Sequence, residues 1–120
     1  MSFPLTKNNS LKNHSDLEML FKNGDKLTSP LISLYYVQSY DKNLKIVFSV
    51  GKKKHKLAVD RNKIKRLMKE SFRLGAFDYI VPSISYHFAF IYIDDKVPKL
   101  SEVNKSMNSL LLSFKNNVLC

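Results

Sequence analysis

The chain is poor in cysteine and glycine and has no tryptophan. Its single cysteine is Cys120, so neither a disulfide framework nor a cysteine-based metal site can form within the chain. The three histidines, His14, His55 and His87, show no metal-ligand spacing, and there is no glycine-rich phosphate loop. Asp94-Asp95 could bind Mg²⁺, but a solvated turn is the simpler interpretation. We therefore expect no catalytic residue and no metal site in this protein.

Long apolar runs are also missing. No run reaches the length of a membrane span. Met1–Pro4 is followed by polar residues and not by the apolar core of a secretory signal. A lone cysteine is compatible with a reducing cytoplasm. We expect a cytoplasmic protein, with no membrane contact and no protein partner implied.

What is present indicates a folded domain. The chain has 120 residues, of which 44% are hydrophobic and 12% aromatic. This length suits one domain with one modest core. We predict a single domain over 1–120, in which 1–14 forms an extended N-terminal segment.

The positive charge is concentrated in one third of the chain. The net charge is +10, and residues 42–74 carry twelve basic side chains against two acidic ones, which accounts for all of it. The remainder is neutral. Such a patch favours a polyanionic partner, with nucleic acid first and an anionic membrane second.

The centre of this basic region is predicted to be an amphipathic helix over Ala58–Leu74. Residues at i, i+3, i+4 and i+7 share one apolar face, which consists of Ile64, Leu67, Met68 and Ser71. The opposite face is polar and mostly cationic, and it consists of Asn62, Arg66, Lys69 and Arg73, flanked by Arg61 and Lys65. Asp60 is expected to cap the helix, and Gly75 to end it with a positive φ. A solvated surface helix is the alternative, but it would carry more acidic partners at i, i+4.

The other elements follow from local patterns. A Ser15–Glu18 capping box predicts a helix start, and Asn23-Gly24 its end. Strands are predicted at 31–37, 44–50 and 87–93, and a second long helix at 101–118. Residues 27–30 are expected to form a turn and 40–43 a hairpin-like turn, while 77–85 stay open because Pro82 disfavours a central strand. Two strands around a helix suggest a βαβ crossover, right-handed by the general rule.

The run from Ser49 to Arg73 resembles the signature of the bacterial ribonuclease P protein component. That signature is a strand ending in S-V-[SG]-K-K, a short loop, and then A-V-x-R-N-[RK]-x-K-R-x-x-[RK]-E-x-F-R. The positions that match it are Ser49, Val50, Lys52, Lys53, Ala58, Val59, Arg61, Asn62, Lys65, Arg66, Glu70, Phe72 and Arg73. Upstream, F-K-x-G (Phe21, Lys22, Gly24) and Leu34-Tyr35 also match, so the resemblance covers roughly 11–115.

The chain departs from the family pattern at several positions. Lys63 and Lys69 replace the usual arginines, and Leu17 stands where an aromatic residue is common. The loop 52–57 lacks the usual Gly-Asn and is one residue longer. Asp94-Asp95 follows the last strand in place of a basic ending.

The resemblance implies an α+β fold, an α/β sandwich. Its mixed sheet has about four strands, in the order α-β-β-β-α-β-α, with a left-handed crossover in place of the right-handed one. It implies a protein subunit of ribonuclease P, in which an RNA subunit with Mg²⁺ removes the 5′ leader of precursor tRNA. The protein would bind that leader and stabilise the RNA fold. A general RNA-binding or ribosome-associated module is the alternative, and a membrane-surface protein is a third.

The resemblance also implies roles for particular residues. Binding of the RNA subunit would fall to Arg61, Asn62, Lys65, Arg66, Lys69 and Arg73. Binding of the leader would fall to Phe21 and Tyr35 as stacking platforms, with Ser49, Lys52 and Lys53 along the backbone. Without the resemblance, a core position under its helix is the favoured interpretation of Phe21, and Tyr35 is likewise a plausible core tyrosine. Asn62 could equally bind RNA or hold the loop. His55, within a lysine run, is expected to face RNA.

Overall fold

The computed structural model describes residues 3–6 and 9–119. The elements are α1 (His14–Asn23), β1 (Asp25–Thr28), β2 (Ile32–Gln38), β3 (Lys45–Val50), α2 (Ala58–Gly75), β4 (Tyr86–Tyr92) and α3 (Leu100–Phe114). This is the predicted α-β-β-β-α-β-α order. A short 3₁₀ turn, Ala76–Asp78, follows α2, and a π turn, Lys115–Leu119, follows α3.

The four strands form one mixed sheet in the order β1-β2-β4-β3. β2 is antiparallel to β1 and β4, while β3 and β4 are parallel. The parallel pair β3 and β4, joined through α2, confirms the βαβ crossover. Its left-handed sense remains a prediction from the resemblance. The hairpin-like turn at 40–43 is wrong, because β4 lies between β2 and β3. The almost continuous apolar sequence of β4 suits this central position, where both faces of the strand are covered.

The register gives the sheet two distinct faces. On one face Leu34, Phe90 and Phe48 lie side by side, and on the other Tyr35, Ala89 and Val47 do. α2 and α3 cover the first face, where the Phe48 and Phe90 rings stack at 5.6 Å. α1 covers part of the second face through Leu20, which packs with Leu11 and Ala89. The result is the predicted α/β sandwich.

The described part of the N-terminal segment is largely irregular chain with a turn at Asn9, whose N–H donates to the Thr6 carbonyl at 3.0 Å, and it is fastened to the domain. The fully buried Phe3 ring packs 5.1 Å from Phe72, and the Phe3 N–H donates to the Arg73 carbonyl at 2.7 Å. Further along, the Leu11 N–H donates to the Ile46 carbonyl at 3.0 Å, beside a parallel bridge between Ser10 and Ile46. The segment therefore covers part of the free edge of β3.

Three predicted helix caps are wrong, although α2 begins at Ala58 as predicted. Asn13 caps α1 by accepting from the Ser15 and Asp16 N–H groups, so the Ser15–Glu18 box is not used. α2 begins at Ala58, which places Asp60 inside its first turn and not at the cap. Gly75 closes the last turn of α2 with φ −112°, an ordinary right-handed value. A cap depends on the chain direction before the helix, and spacing alone does not give that direction.

Two further boundaries differ from the prediction. Part of the expected turn 27–30 is β1, a short edge strand that pairs Leu27 with Leu34. Its largely exposed, polar sequence carries no strand signal of its own. α3 ends at Phe114, before the predicted 118. Residues 79–85 form turns and irregular chain with no strand, as Pro82 suggested.

Candidate nucleic-acid interface

The apolar stripe of α2 fixes which side chains face outward. Ile64 and Met68 are fully buried in the core, with Phe72 one turn further on. The helical period therefore turns Arg66 and Lys69 away from the core, with Lys65 at the flank, and all three are exposed. These three cations line a groove of about 280 Å³ between α2, β3 and the N-terminal segment. We call it the helix groove.

Two of the predicted RNA contacts are already engaged within the protein. The Arg61 guanidinium donates through Nη1 to the His55 and Lys56 carbonyls, both at 2.9 Å. Arg73 forms a bidentate pair with Glu70, with Nη2–Oε1 at 2.6 Å and Nε–Oε2 at 3.1 Å. This hydrogen bonding lowers the pKa of the Glu70 carboxyl. Arg61 thus holds a loop, and much of the Arg73 charge is neutralised locally, whereas Asn62 is exposed at the start of α2.

An aromatic pair lies on the other side of the sheet. The Phe21 and Tyr35 rings meet edge to face at 5.1 Å, and Lys26 Nζ lies 5.5 Å from the centre of the Tyr35 ring. Phe21 is 44% exposed, because α1 buries Leu20 and turns the next residue outward. The core interpretation of Phe21 therefore does not hold. Tyr35 is half-buried and lies beside a cation.

The remaining predicted residues continue this surface across the sheet. Ser49 lies next to Ile91 in register, one rung beyond Val47 and Ala89, so it shares the Tyr35 face. β2 and β3 flank β4, which separates Tyr35 from β3 by about 10 Å, two interstrand spacings. Lys52 and Lys53 follow β3 and are exposed. We call this surface, from Phe21 and Tyr35 to Ser49, Lys52 and Lys53, the sheet channel.

The loop 51–57 is bound to the turn that follows β4. Lys54 Nζ donates to the Ile93 carbonyl at 2.5 Å, and His55 Nε2 lies 2.8 Å from the Asp94 carbonyl oxygen. His55 is buried, which corrects the expectation that it faces RNA. Tyr92 supports the same turn through a 2.7 Å bond to the Lys96 carbonyl, and burial, followed by the nearby carboxylates, raises its pKa to about 12.

A polar cluster that the sequence did not predict lies at the far end of the sheet face that carries the channel. His87 Nε2 donates to Asp41 Oδ2 at 2.5 Å, and Lys45 Nζ lies 3.8 Å from the same oxygen. The bond from His87, with a smaller contribution from Lys45, lowers the pKa of Asp41. The two residues are 46 positions apart, so only knowledge of the β2–β4 pairing could have joined them.

Other ligand chemistry has little support in the described ranges. Among residues 3–6 and 9–119, no three His, Cys, Asp or Glu side chains gather into a group that could hold a metal ion. Over the same ranges, no helix combines the length and apolar character that a membrane crossing requires.

A cationic helix on one side of a mixed sheet and an aromatic, lysine-edged channel on the other define a small α+β protein of the nucleic-acid-binding class. Comparison with known proteins makes this specific. Residues 5–115 match the family model described as Ribonuclease P. The Ribonuclease P protein component of Clostridioides difficile strain 630 is 30% identical over 112 residues, which cover 92% of this chain and 94% of that one. The chain belongs to the ribonuclease P protein family.

Solved structures agree on the fold. The Staphylococcus aureus RNase P protein aligns with a TM-score of 0.75 at 23% identity, covering 89% of this chain and 95% of that one. A second S. aureus structure, described as a mutant with defective mRNA degradation activity, aligns with a TM-score of 0.75 at 22% identity, covering 88% and 87%. These neighbours therefore share the α+β architecture built above.

Proposed function

We propose that this chain is the protein subunit of a ribonuclease P holoenzyme. In it, an RNA subunit with Mg²⁺ removes the 5′ leader of precursor tRNA in the cytoplasm. Family membership supports the role in tRNA processing. The observation that carries the division of labour is the presence of two chemically different surfaces, one between α2 and the edge of β3 and the other on the sheet face that α2 does not cover. The helix groove suits a folded RNA backbone, and the sheet channel suits a single strand.

The sheet channel binds the 5′ leader in this proposal. A single strand presents unstacked bases and a continuous line of phosphates, so aromatic rings and cations bind it without reading its sequence. Phe21 and Tyr35 offer ring edges and faces at one end. Lys52 and Lys53 neutralise phosphates at the other end, and the Ser49 hydroxyl can donate to a backbone oxygen between them.

The helix groove binds the RNA subunit. Lys65, Arg66 and Lys69 project from one helix that Ile64, Met68 and Phe72 fix in the core, so little backbone freedom is lost on binding. The Arg66 guanidinium can grip a phosphate bidentately, whereas the two lysines act as point charges. Asn62 extends the same surface at the start of the helix. Arg61 contributes mainly by holding the loop 51–57, and Arg73 joins only by exchanging its Glu70 partner.

The protein supplies binding, and Mg²⁺ with the RNA subunit supplies the chemistry. His55 and His87 are buried and bonded to the Asp94 carbonyl and the Asp41 carboxylate, so neither is placed as a general base toward a substrate. We therefore expect purified, RNA-free protein to cleave neither precursor tRNA nor mRNA. Cleavage of mRNA is tested as well because one S. aureus RNase P protein structure is that of a mutant with defective mRNA degradation activity. Metal-dependent cleavage by such protein would overturn this part of the proposal.

Competition binding separates this function from that of a general RNA-binding module. A labelled ribonuclease P RNA is bound by the protein and then challenged with an unrelated structured RNA of equal length. Our proposal expects the unrelated RNA to compete poorly at physiological salt. Equal competition would favour the general module, and binding to anionic vesicles that RNA does not reverse would favour a membrane-surface protein.

A further inference from the structure

We propose that His55 is a positioning residue for leader binding: it anchors the loop 51–57 so that Lys52 and Lys53 stay at the mouth of the sheet channel. This inference rests on the proposed function. It concerns the lysine-bearing loop between β3 and α2.

Three side chains make four hydrogen bonds that fasten this loop to its surroundings. From within the loop, Lys54 and His55 reach the Ile93 and Asp94 carbonyls, 39 positions away. From α2, Arg61 reaches the His55 and Lys56 carbonyls. Among these three side chains, only His55 is buried. Its ring lies 5.6 Å from that of Tyr92, so it is packed as well as hydrogen-bonded.

The anchor determines where the lysines lie. Gly51, Lys53 and Lys54 line a pocket with Ile91 and Ile93, which places this part of the loop at the end of the sheet channel. Lys52, Lys53, Lys54 and Lys56 carry like charges within five positions, and their mutual repulsion favours a splayed loop. A buried contact at the centre of the run opposes that repulsion. The lysines are therefore held in place before RNA arrives, which reduces the entropy lost on binding.

Histidine is suited to this position. A carbonyl can only accept, so the His55 ring carries its proton on Nε2 and donates to Asp94. The side chain is short enough to be buried beside Tyr92, where a fifth lysine would bring another charge. Replacing His55 with glutamine keeps an N–H donor at a similar distance from the backbone. Replacing it with leucine keeps much of the side-chain volume but removes the hydrogen-bond donor.

The test uses the reconstituted holoenzyme, with the protein and its RNA subunit. The leader gain is defined as the ratio of affinities for precursor tRNA and for mature tRNA lacking the leader. We expect His55→Leu to reduce the leader gain roughly fivefold, the scale of one lost charge-assisted contact. His55→Gln should restore most of it. Affinity for the RNA subunit should change less than twofold in both variants, and His14→Ala, an exposed histidine on α1, is the matched control.

A double-mutant cycle separates positioning from general damage. If His55 acts through Lys53, Lys53→Ala should cost less in the His55→Leu background than in the wild type. Thermal unfolding checks that each variant is folded, and His55→Ala replaces His55→Leu if leucine does not fit. A full leader gain in the leucine or alanine variant, additive losses in the cycle, or no rescue by glutamine would each overturn the inference. Absence of any leader gain in the wild type would instead overturn the proposed function.

Discussion

Tyr35 is the residue at which the proposed leader contact can be tested most directly. Its ring meets that of Phe21 edge to face and lies near Lys26 Nζ, so a stacked base would add to an existing cluster. We predict that Tyr35→Ala weakens leader binding by about 1–3 kcal/mol, the range measured for stacking on an aromatic residue. Assembly with the RNA subunit should change little.

Measuring both affinities for Tyr35→Ala checks this prediction. Tyr40→Ala removes a tyrosine that is fully exposed, outside the channel, and is the matched control. Equal losses in leader binding and in assembly would contradict the separation of the two surfaces.

The Asp41–His87 pair predicts a pH dependence of folding stability. The folded-state pKa of Asp41 lies below its unfolded value of about 3.9, so the pair's contribution is present above about pH 4 and is lost as pH falls through the folded-state pKa. Asp41→Asn should lower the free energy of unfolding at pH 7 by no more than about 1 kcal/mol, since the carboxylate is partly exposed. The difference in Tm from wild type should shrink toward pH 3.

Thermal unfolding at pH 7, 5 and 3 tests this, with Asp78→Asn, an exposed carboxylate beyond the end of α2, as the control. A Tm difference that is the same at all three pH values would show that the pair does not act through the ionisation of Asp41.

At the scale of single residues, the sequence predicted which side chains face outward better than it predicted what those side chains contact. The cationic face of α2 could be read from spacing, because helical period alone decides it. The engagement of Arg61 with loop carbonyls and the burial of His55 could not, because their partners are backbone atoms with no sequence signature.

Among the elements, α2 carries the predicted contact with the RNA subunit. We predict that Arg66→Ala weakens assembly and lowers the slope of log K against log salt by about 0.7–0.9, as expected for one lost phosphate contact. Arg73→Ala should have a smaller effect on both, because Glu70 already pairs with that guanidinium.

Salt titrations of RNA binding for the two arginine variants measure this difference. A larger loss for Arg73→Ala than for Arg66→Ala would mean that the Glu70 pair opens on binding and that the contact surface lies nearer the end of α2.

The N-terminal segment is expected to stabilise the fold as an element of its own. Phe3 is fully buried against Phe72, so Phe3→Ala should reduce the free energy of unfolding by about 3–5 kcal/mol, the usual cost of removing a buried aromatic side chain. Denaturant unfolding measures it, with Phe21→Ala as the exposed control. A loss below about 1 kcal/mol would show that the segment does not hold its place in solution.

The type of an element could be predicted wherever its hydrophobic pattern was strong, as in the amphipathic helix α2 and the apolar strand β4. The short edge strand β1 was missed because its polar residues carry no period. The pairing of β4 between β2 and β3 was missed because neighbouring strands in sequence usually pair, and here the long apolar strand takes the centre.

For the whole molecule, the central claim is that one charge-asymmetric domain serves two nucleic-acid strands at once. The net charge of +10 comes from residues 42–74, which include β3, the loop 51–57 and nearly all of α2. The sheet brings the loop to one face and α2 to the other, so a single basic stretch supplies both surfaces.

The most direct test is reconstitution with a bacterial ribonuclease P RNA. Cleavage of a precursor tRNA carrying a leader of several nucleotides is compared with that of a substrate with a minimal leader, at low Mg²⁺, where the RNA alone is slow. Our account predicts strong stimulation by the protein that is larger for the longer leader. Tight RNA binding by folded protein without stimulation, or stimulation independent of leader length, would contradict it.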